Sequence, residues 1–137
     1  NIKINNMHSA SYTTTADSEH SYITSTYPTE NGEAFSKYYS NKYDDIYSNL
    51  KTQGYYNIYA HGNYDQFWNR RNVYSKLDID KTYFKDDFQD RSEMIRTYLA
   101  DELLYVQMVE NIKNYVRQFY ENIIHRYFLK LFIYCNS

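Results

Sequence analysis

The sequence predicts a mainly α-helical fold: a small helical domain with a long C-terminal helix and an extended, polar N-terminal segment. Two stretches space their apolar side chains as one face of a helix does, and no glycine or proline follows Gly62. The first 30 residues are instead rich in Ser and Thr. With 137 residues the chain has the length of one domain. We therefore predict an arm over residues 1–30 and a helical domain over residues 31–137.

The polar arm carries its aromatic residues without helical period. Tyr12, Tyr22 and Tyr27 are separated by ten and five positions among hydroxyl side chains. Such a segment buries too little apolar surface to offset the entropy of ordering it. We expect it to be extended and to gain its order from contacts outside a compact core.

The first helical pattern lies in the tyrosine-rich stretch after the arm. Apolar residues recur there at spacings of 4, 4, 3 and 4, namely Phe35, Tyr39, Tyr43, Ile46 and Leu50. Thr29 or Asn31 offers an N-cap, and Gly54 stands where a glycine commonly ends a helix. The pattern predicts a helix at about residues 32–52.

The middle of the chain has weaker patterns. Residues 55–59 are typical of either a short strand or a packed loop, closed by Gly62. Asp65 opens a predicted short helix at about residues 65–76. The acidic run over residues 78–93 lacks the ligand spacing and central glycine of a calcium loop, so we interpret it as a solvated connection.

A long C-terminal helix is predicted over about residues 90–134. Asp90 and Glu93 form a capping-box pattern, and a heptad-like face follows with Val109, Ile112, Val116 and Phe119, which we expect to be buried. Unbroken, this helix would be about 65 Å long, far longer than a globule of this size. It therefore either breaks or packs on another chain.

The last segment is apolar on nearly all sides, which is typical of a buried helix. His125, Arg126 and Lys130 interrupt it and the apolar run is too short to span a bilayer, although lying in a membrane interface stays open. The predicted partner interface comprises Tyr12, Tyr22, Tyr27, Ile123, Tyr127, Phe128, Leu131 and Phe132. The alternative is that the arm simply wraps the C-terminal helix of its own chain.

No motif of a catalytic, metal or cofactor site is recognisable. The three glycines cannot form a phosphate loop, and neither CxxC nor HExxH occurs. Glu121 and His125 have the spacing of a helix-borne ligand pair, but no second pair exists. Arg70 and Arg71 beside aromatic residues are interpreted as core edge and surface charge. The single cysteine, Cys135, is predicted to be a free thiol.

Composition and charge set the functional hypotheses. The net charge of −2 argues against nucleic acid as a partner, and the nineteen tyrosines with few glycines suggest an AT-rich genome. We predict a non-enzymatic structural subunit of a larger multiprotein assembly, intracellular or organellar, without cofactor. The alternatives are a free-standing binding module of an AT-rich protist, exported or on its surface, and a small enzyme without a recognisable motif. Because the chain begins at Asn1, it is expected to be a processed product or a fragment.

Overall fold

The computed structural model describes residues 14–27 and 34–135, with side chains as far as Ile123. The chain divides into two compact units, Asn1–Asp87 and Phe88–Ser137. The division predicted after residue 30 stays a prediction.

The first unit contains helix α1, Thr15–Thr24, inside the segment expected to be extended. Thr14 is the N-cap, and its side chain accepts a hydrogen bond from the backbone N–H of Asp17. Ala16, His20 and Ile23 are buried together, because spacings of four and three place them on one helix face. The prediction of an extended segment is therefore wrong over these residues.

The helix predicted at 32–52 is two short helices. Helix α2 spans Ala34–Lys37 and helix α3 spans Ile46–Thr52. Asp45 interrupts the pattern, since its carboxylate accepts hydrogen bonds from the backbone of Tyr47 and Ser48 and thereby starts a new helix. The predicted end is confirmed: Gly54 has a φ of 82° and its N–H donates to a carbonyl of the last turn. The proposed caps Thr29 and Asn31 lie outside the described residues.

Two parallel strands follow. Strand β1, Ile58–Ala60, pairs with strand β2, Lys81–Tyr83, so the strand alternative for residues 55–59 is confirmed in part. Helix α4, Arg70–Tyr74, lies in the crossover that joins them, as a parallel connection requires. It is preceded by a 3₁₀ turn, Phe67–Asn69, so the helix predicted at 65–76 is present but shorter and kinked.

The core of this unit lies among α1, α2, β1 and α4. It is built from apolar side chains of all four elements together with Phe84, which follows β2: Ala16, Ile23, Phe35, Tyr59, Val73, Tyr74 and Phe84. Aromatic rings make most of this core, since Phe35 meets Tyr74 edge-on and Tyr74 stacks on Tyr59. The excess of tyrosine therefore serves packing as well as polar contacts.

The second unit holds a hairpin and the long helix. Strand β3, Met94–Ile95, pairs antiparallel with strand β4, Tyr98–Leu99, and helix α5 spans Asp101–Cys135. The helix predicted from residue 90 thus begins eleven residues later. The Asp90 carboxylate accepts from the backbone of Ser92 in a local turn, instead of capping a helix.

The heptad-like face of α5 is solvent-exposed. Val109, Ile112, Val116 and Phe119 are between 42% and 53% exposed, so the prediction that they are buried is wrong. In the described part of this unit, β3 and β4 are the other regular elements, and strands of two residues are too short to cover a 35-residue helix. None of the helices in the described residues has an apolar stretch long enough to cross a membrane.

Candidate active site

A cluster of polar side chains joins α1 to β1 and α4. The Glu19 carboxylate accepts hydrogen bonds from the Tyr59 hydroxyl at 2.6 Å and from the Tyr74 hydroxyl. The guanidinium of Arg70 donates to the same carboxylate through Nε at 3.1 Å and Nη2 at 2.7 Å. We call Glu19, Tyr59, Arg70 and Tyr74 the Glu19 hub.

The charges of the hub are matched, with a buried guanidinium and a half-buried carboxylate. Arg70 is only 1% exposed, and its remaining donor reaches the Phe67 carbonyl at 3.0 Å. Burial alone would lower the pKa of Arg70, but the carboxylate of Glu19 outweighs it and the pKa is raised. Burial first, and then Glu19, raises the pKa of both hub tyrosines, so their hydroxyls remain proton donors. The hub therefore fixes α1 rigidly.

The fixed helix presents a threonine hydroxyl at its N-terminus. Thr15 is the first residue of α1, exposed, and one turn before Glu19 on the same face. Thr14 is occupied by capping, since its hydroxyl donates to the buried Asp17 carboxylate at 2.7 Å. The N-terminal end of a helix is positive and favours anions. Thr15 thus lies at a helix end that favours an anionic group.

The carboxyl ends of the two parallel strands are a second candidate feature of this unit. After β1, the His61 N–H donates to the Tyr83 carbonyl at 2.9 Å, and after β2 the Lys85 N–H donates to the Asn63 carbonyl at 3.0 Å. The Asn63 N–H donates to Nδ1 of His61, so neutral His61 carries its proton on Nε2. In open α/β sheets, ligands bind at this end of the strands.

The turn before α4 stores backbone strain. Trp68 and Asn69 are consecutive non-glycine residues with φ of 56° and 58°. The Asn69 amide donates to the Phe35 carbonyl at 3.0 Å, and the next residue is Arg70 of the hub. Strain of this kind persists only where its surroundings hold it, and it clusters at functional sites.

A cavity of about 490 Å³ lies beside β2 and α4. Its wall includes the ion pair of Arg71 with Asp65, and also Asp80, which binds Lys51. The hydrogen bond from Lys51 holds the pKa of Asp80 below its usual range. Residues of α1 do not line this cavity, so it is separate from the Thr15 end of the helix.

Three of the eight predicted interface residues have side chains that the structure describes. Tyr22 and Tyr27 are 76% and 93% exposed, and Ile123 is half-buried. Tyr12 and the side chains of Tyr127, Phe128, Leu131 and Phe132 lie outside the described residues. Contact of these residues with another protein stays a prediction. In residues 14–27 and 34–123, we find no cluster of three His, Cys, Asp or Glu side chains that could hold a metal.

Sequence reasoning missed the residues that form this site. Arg70, interpreted as core edge or surface charge, is the buried cation of the hub. Thr14 and Asp17 do carry a signal, since Thr-x-x-Asp is a capping pattern that marks the start of a helix. His61, Gly62 and Asn63 follow the predicted strand alternative after one intervening residue. Glu19 carries no local signal, because its partners are 40 to 55 residues away.

The α/β arrangement is that of a known family. Residues 1–121 match the sulfatase family, and the chain belongs to that family. The chain is 32% identical over 115 residues to the lipoteichoic acid synthase of Staphylococcus aureus, a match covering 80% of this chain and 17% of the relative. The chain thus spans about a sixth of the length of the curated relatives it matches.

Two solved structures share the fold. The lipoteichoic acid synthase LtaP from Listeria monocytogenes superposes with a TM-score of 0.71 at 25% identity, over 80% of this chain and 27% of that one. A protein of the alkaline phosphatase superfamily from Vibrio parahaemolyticus superposes with a TM-score of 0.60 at 19% identity, over 70% of this chain and 24% of its own. The second likeness concerns the fold alone.

These findings correct the fold class and the function. The mainly helical fold is wrong, because the chain has the α/β fold of the sulfatases and the alkaline phosphatase superfamily, with sheets as well as helices. The non-enzymatic structural subunit of a multiprotein or organellar assembly is also wrong. The chain is a sulfatase-family segment similar to lipoteichoic acid synthase, and the family is one of hydrolases and transferases.

Proposed function

We propose that this chain supplies part of the active site of an enzyme that transfers a group from an anionic ester. The observation that carries the proposal is the exposed Thr15 hydroxyl at the N-terminus of α1, an end fixed by the Glu19 hub. The likeness to the synthases of Staphylococcus aureus and Listeria monocytogenes supports this substrate class.

The chemistry follows from the position of the hydroxyl. Thr15 oxygen forms a bond to the phosphorus of the ester while the bond from phosphorus to the leaving alcohol breaks. The hydroxyl loses a proton and the leaving oxygen gains one. In a second step, an acceptor hydroxyl attacks the phosphorus and loses its proton, while the bond to Thr15 oxygen breaks and the threonine regains a proton. The positive end of α1 stabilises the negative charge that builds up on the tetrahedral group. The hub contributes by holding the helix still, because a displacement of about 1 Å can cost roughly a hundredfold in rate.

The proposal is tested in a chimera. The matched segment of the Staphylococcus aureus synthase is replaced by this chain, and lipoteichoic acid synthesis is measured. Thr15→Ala should lower the rate by roughly a thousandfold or more, since removing a nucleophile removes the chemical step. Thr15→Ser keeps a hydroxyl and should retain substantial activity. An active Thr15→Ala chimera, or a chimera that folds but makes no product with Thr15 intact, would contradict the proposal.

A sulfate ester is the second candidate substrate, because the chain belongs to the sulfatase family. Sulfate and phosphate esters share a tetrahedral anionic group, so the N-terminus of α1 suits both. Assaying the same chimera with p-nitrophenyl sulfate and p-nitrophenyl phosphate separates them. Thr15-dependent turnover of the sulfate ester in preference to the phosphate ester would favour the second candidate.

A further inference from the structure

Lys85 lies two residues after β2, at the carboxyl end of the parallel pair. Its backbone N–H donates to the Asn63 carbonyl in the loop that follows β1, so this position is tied to both strands. The same loop contains His61. Lys85 therefore places a cation at the end of the sheet where open α/β folds bind their ligands.

The ammonium group of Lys85 contacts Tyr64. Its Nζ lies 2.8 Å from the Tyr64 hydroxyl oxygen and 4.0 Å from the centre of the ring. A lysine on a flexible stem normally loses entropy when it binds an anion, and this contact removes part of that cost before a ligand arrives. Tyr64 thus orients the charge.

This cation has no carboxylate partner in the described part of the chain. The ion pairs that we identify among residues 14–27 and 34–123, such as those of Lys51 and Arg70, do not involve Lys85. Two acidic residues follow it in the sequence. The carboxylate of one of them, Asp87, accepts a hydrogen bond from the Phe84 N–H at 2.8 Å. A charge that is oriented but not neutralised is suited to an anionic ligand.

We infer that Lys85 is a specificity residue that binds an anionic group of the substrate at the carboxyl end of β1 and β2. This inference rests on the proposed function and deepens it, since it restricts the substrate to esters that present a phosphate or sulfate to this end of the sheet. Tyr64 is the positioning residue that orients Lys85 toward that group.

Lys81 is a matched control at the other end of β2. It also lies over a tyrosine, with Nζ 5.3 Å from the ring centre of Tyr83, but it stands at the start of β2. It is exposed, and its charge is equal to that of Lys85. A general electrostatic effect would respond equally to both lysines, whereas a site at the carboxyl end responds to Lys85 alone.

The experiment titrates the full chain with inorganic phosphate, and separately with inorganic sulfate, by calorimetry at fixed ionic strength. Lys85→Gln should weaken binding about tenfold, because a charge-assisted hydrogen bond is lost. Lys81→Gln should leave the dissociation constant within about twofold. Tyr64→Phe, which keeps the ring and removes the hydroxyl, should have an intermediate effect, and thermal unfolding shows that each variant is folded.

Three results would overturn the inference: no phosphate or sulfate binding by the unaltered chain, unchanged binding by Lys85→Gln, or an equal loss in Lys81→Gln. Preference between the two anions tells phosphate from sulfate as the ligand group. The proposed function is judged separately by the Thr15 variants in the chimera. Loss of synthesis in Thr15→Ala together with unchanged anion binding in Lys85→Gln would leave the function standing and reject the role of Lys85.

Discussion

The Glu19 hub and the exposed face of α5 reverse what hydropathy predicts. In the first unit, a carboxylate and a guanidinium lie among aromatic rings, with Arg70 only 1% exposed. In the second unit, valine, isoleucine and phenylalanine side chains face solvent along a helix with a regular apolar spacing. Burial here follows from the presence of partners: the charges of the hub have theirs, and the described part of the second unit offers α5 little to pack on.

The largest effect in this comparison should come from the hub. Glu19→Gln leaves the Arg70 guanidinium buried without a countercharge, which should lower the free energy of unfolding by about 3 kcal/mol. The matched control is Glu110→Gln on α5, where the ion pair with Lys113 is exposed and 3.8 Å long. That change should cost less than about 0.5 kcal/mol. Urea unfolding of the two variants measures the difference, and equal losses would show that the hub is no more than a surface pair.

An intermediate effect is expected at His20 on the buried face of α1. Its ring lies edge-on to Phe35 and Tyr43, and neither ring nitrogen has a hydrogen-bond partner among the described residues. His20→Phe removes two unsatisfied polar atoms while keeping an aromatic ring, so we expect stability to rise by roughly 1 kcal/mol. A large loss of stability in thermal unfolding would instead reveal a hydrogen bond that the histidine makes.

The stability of His20→Phe should also depend less on pH than that of the unaltered chain. Burial lowers the pKa of His20 from its ordinary 6.5, and this outweighs the opposing effect of Asp17. The unfolded chain therefore takes up the proton first as the pH falls, and stability is lost below about pH 6.5 until the folded pKa is reached. Between pH 7 and pH 5.5 the unaltered chain should lose more stability than His20→Phe. Parallel stability curves would contradict this assignment.

The smallest effect is expected on α5. Val116 is 43% exposed, so Val116→Asp places its charge in water and should change the free energy of unfolding by less than about 0.5 kcal/mol. A buried heptad face, as the sequence predicts, would instead cost several kcal/mol. A loss above about 2 kcal/mol in the full chain would show that this face is covered after all.

Local patterns predicted some elements and failed where distant residues decide. Gly54 is correctly predicted at a helix end, and the strand alternative for residues 55–59 is confirmed in part by β1, because both depend on near neighbours. The break at Asp45 was not predicted, because the apolar spacing continues across this residue and contains no information about its capping side chain. Helix α1 was missed because its buried face contains a histidine and an alanine in place of large apolar residues.

The candidate site was harder to predict than the fold. Glu19 meets Arg70 and Tyr74 across 51 and 55 positions, and no periodicity links residues so far apart. Thr15 begins a helix that is rich in hydroxyl side chains, so the sequence alone predicts it to be part of a polar arm. Its position becomes informative only with the contacts that Glu19 makes to β1 and α4. The sequence does not show that Lys85 lies near His61. The parallel pairing of β1 with β2 places both residues at the carboxyl end of the strand pair.

The most direct test compares adjacent threonines in the chimera with the Staphylococcus aureus synthase. Thr14 caps α1 and Thr15 presents the proposed nucleophile, so the two alanine variants should separate stability from chemistry. Thr14→Ala should lower the free energy of unfolding by about 1 kcal/mol, with synthesis per folded molecule largely kept. Thr15→Ala should leave stability nearly unchanged and reduce synthesis by roughly a thousandfold or more. Equal synthesis by the two variants, per folded molecule, would contradict the assignment of the active site to Thr15.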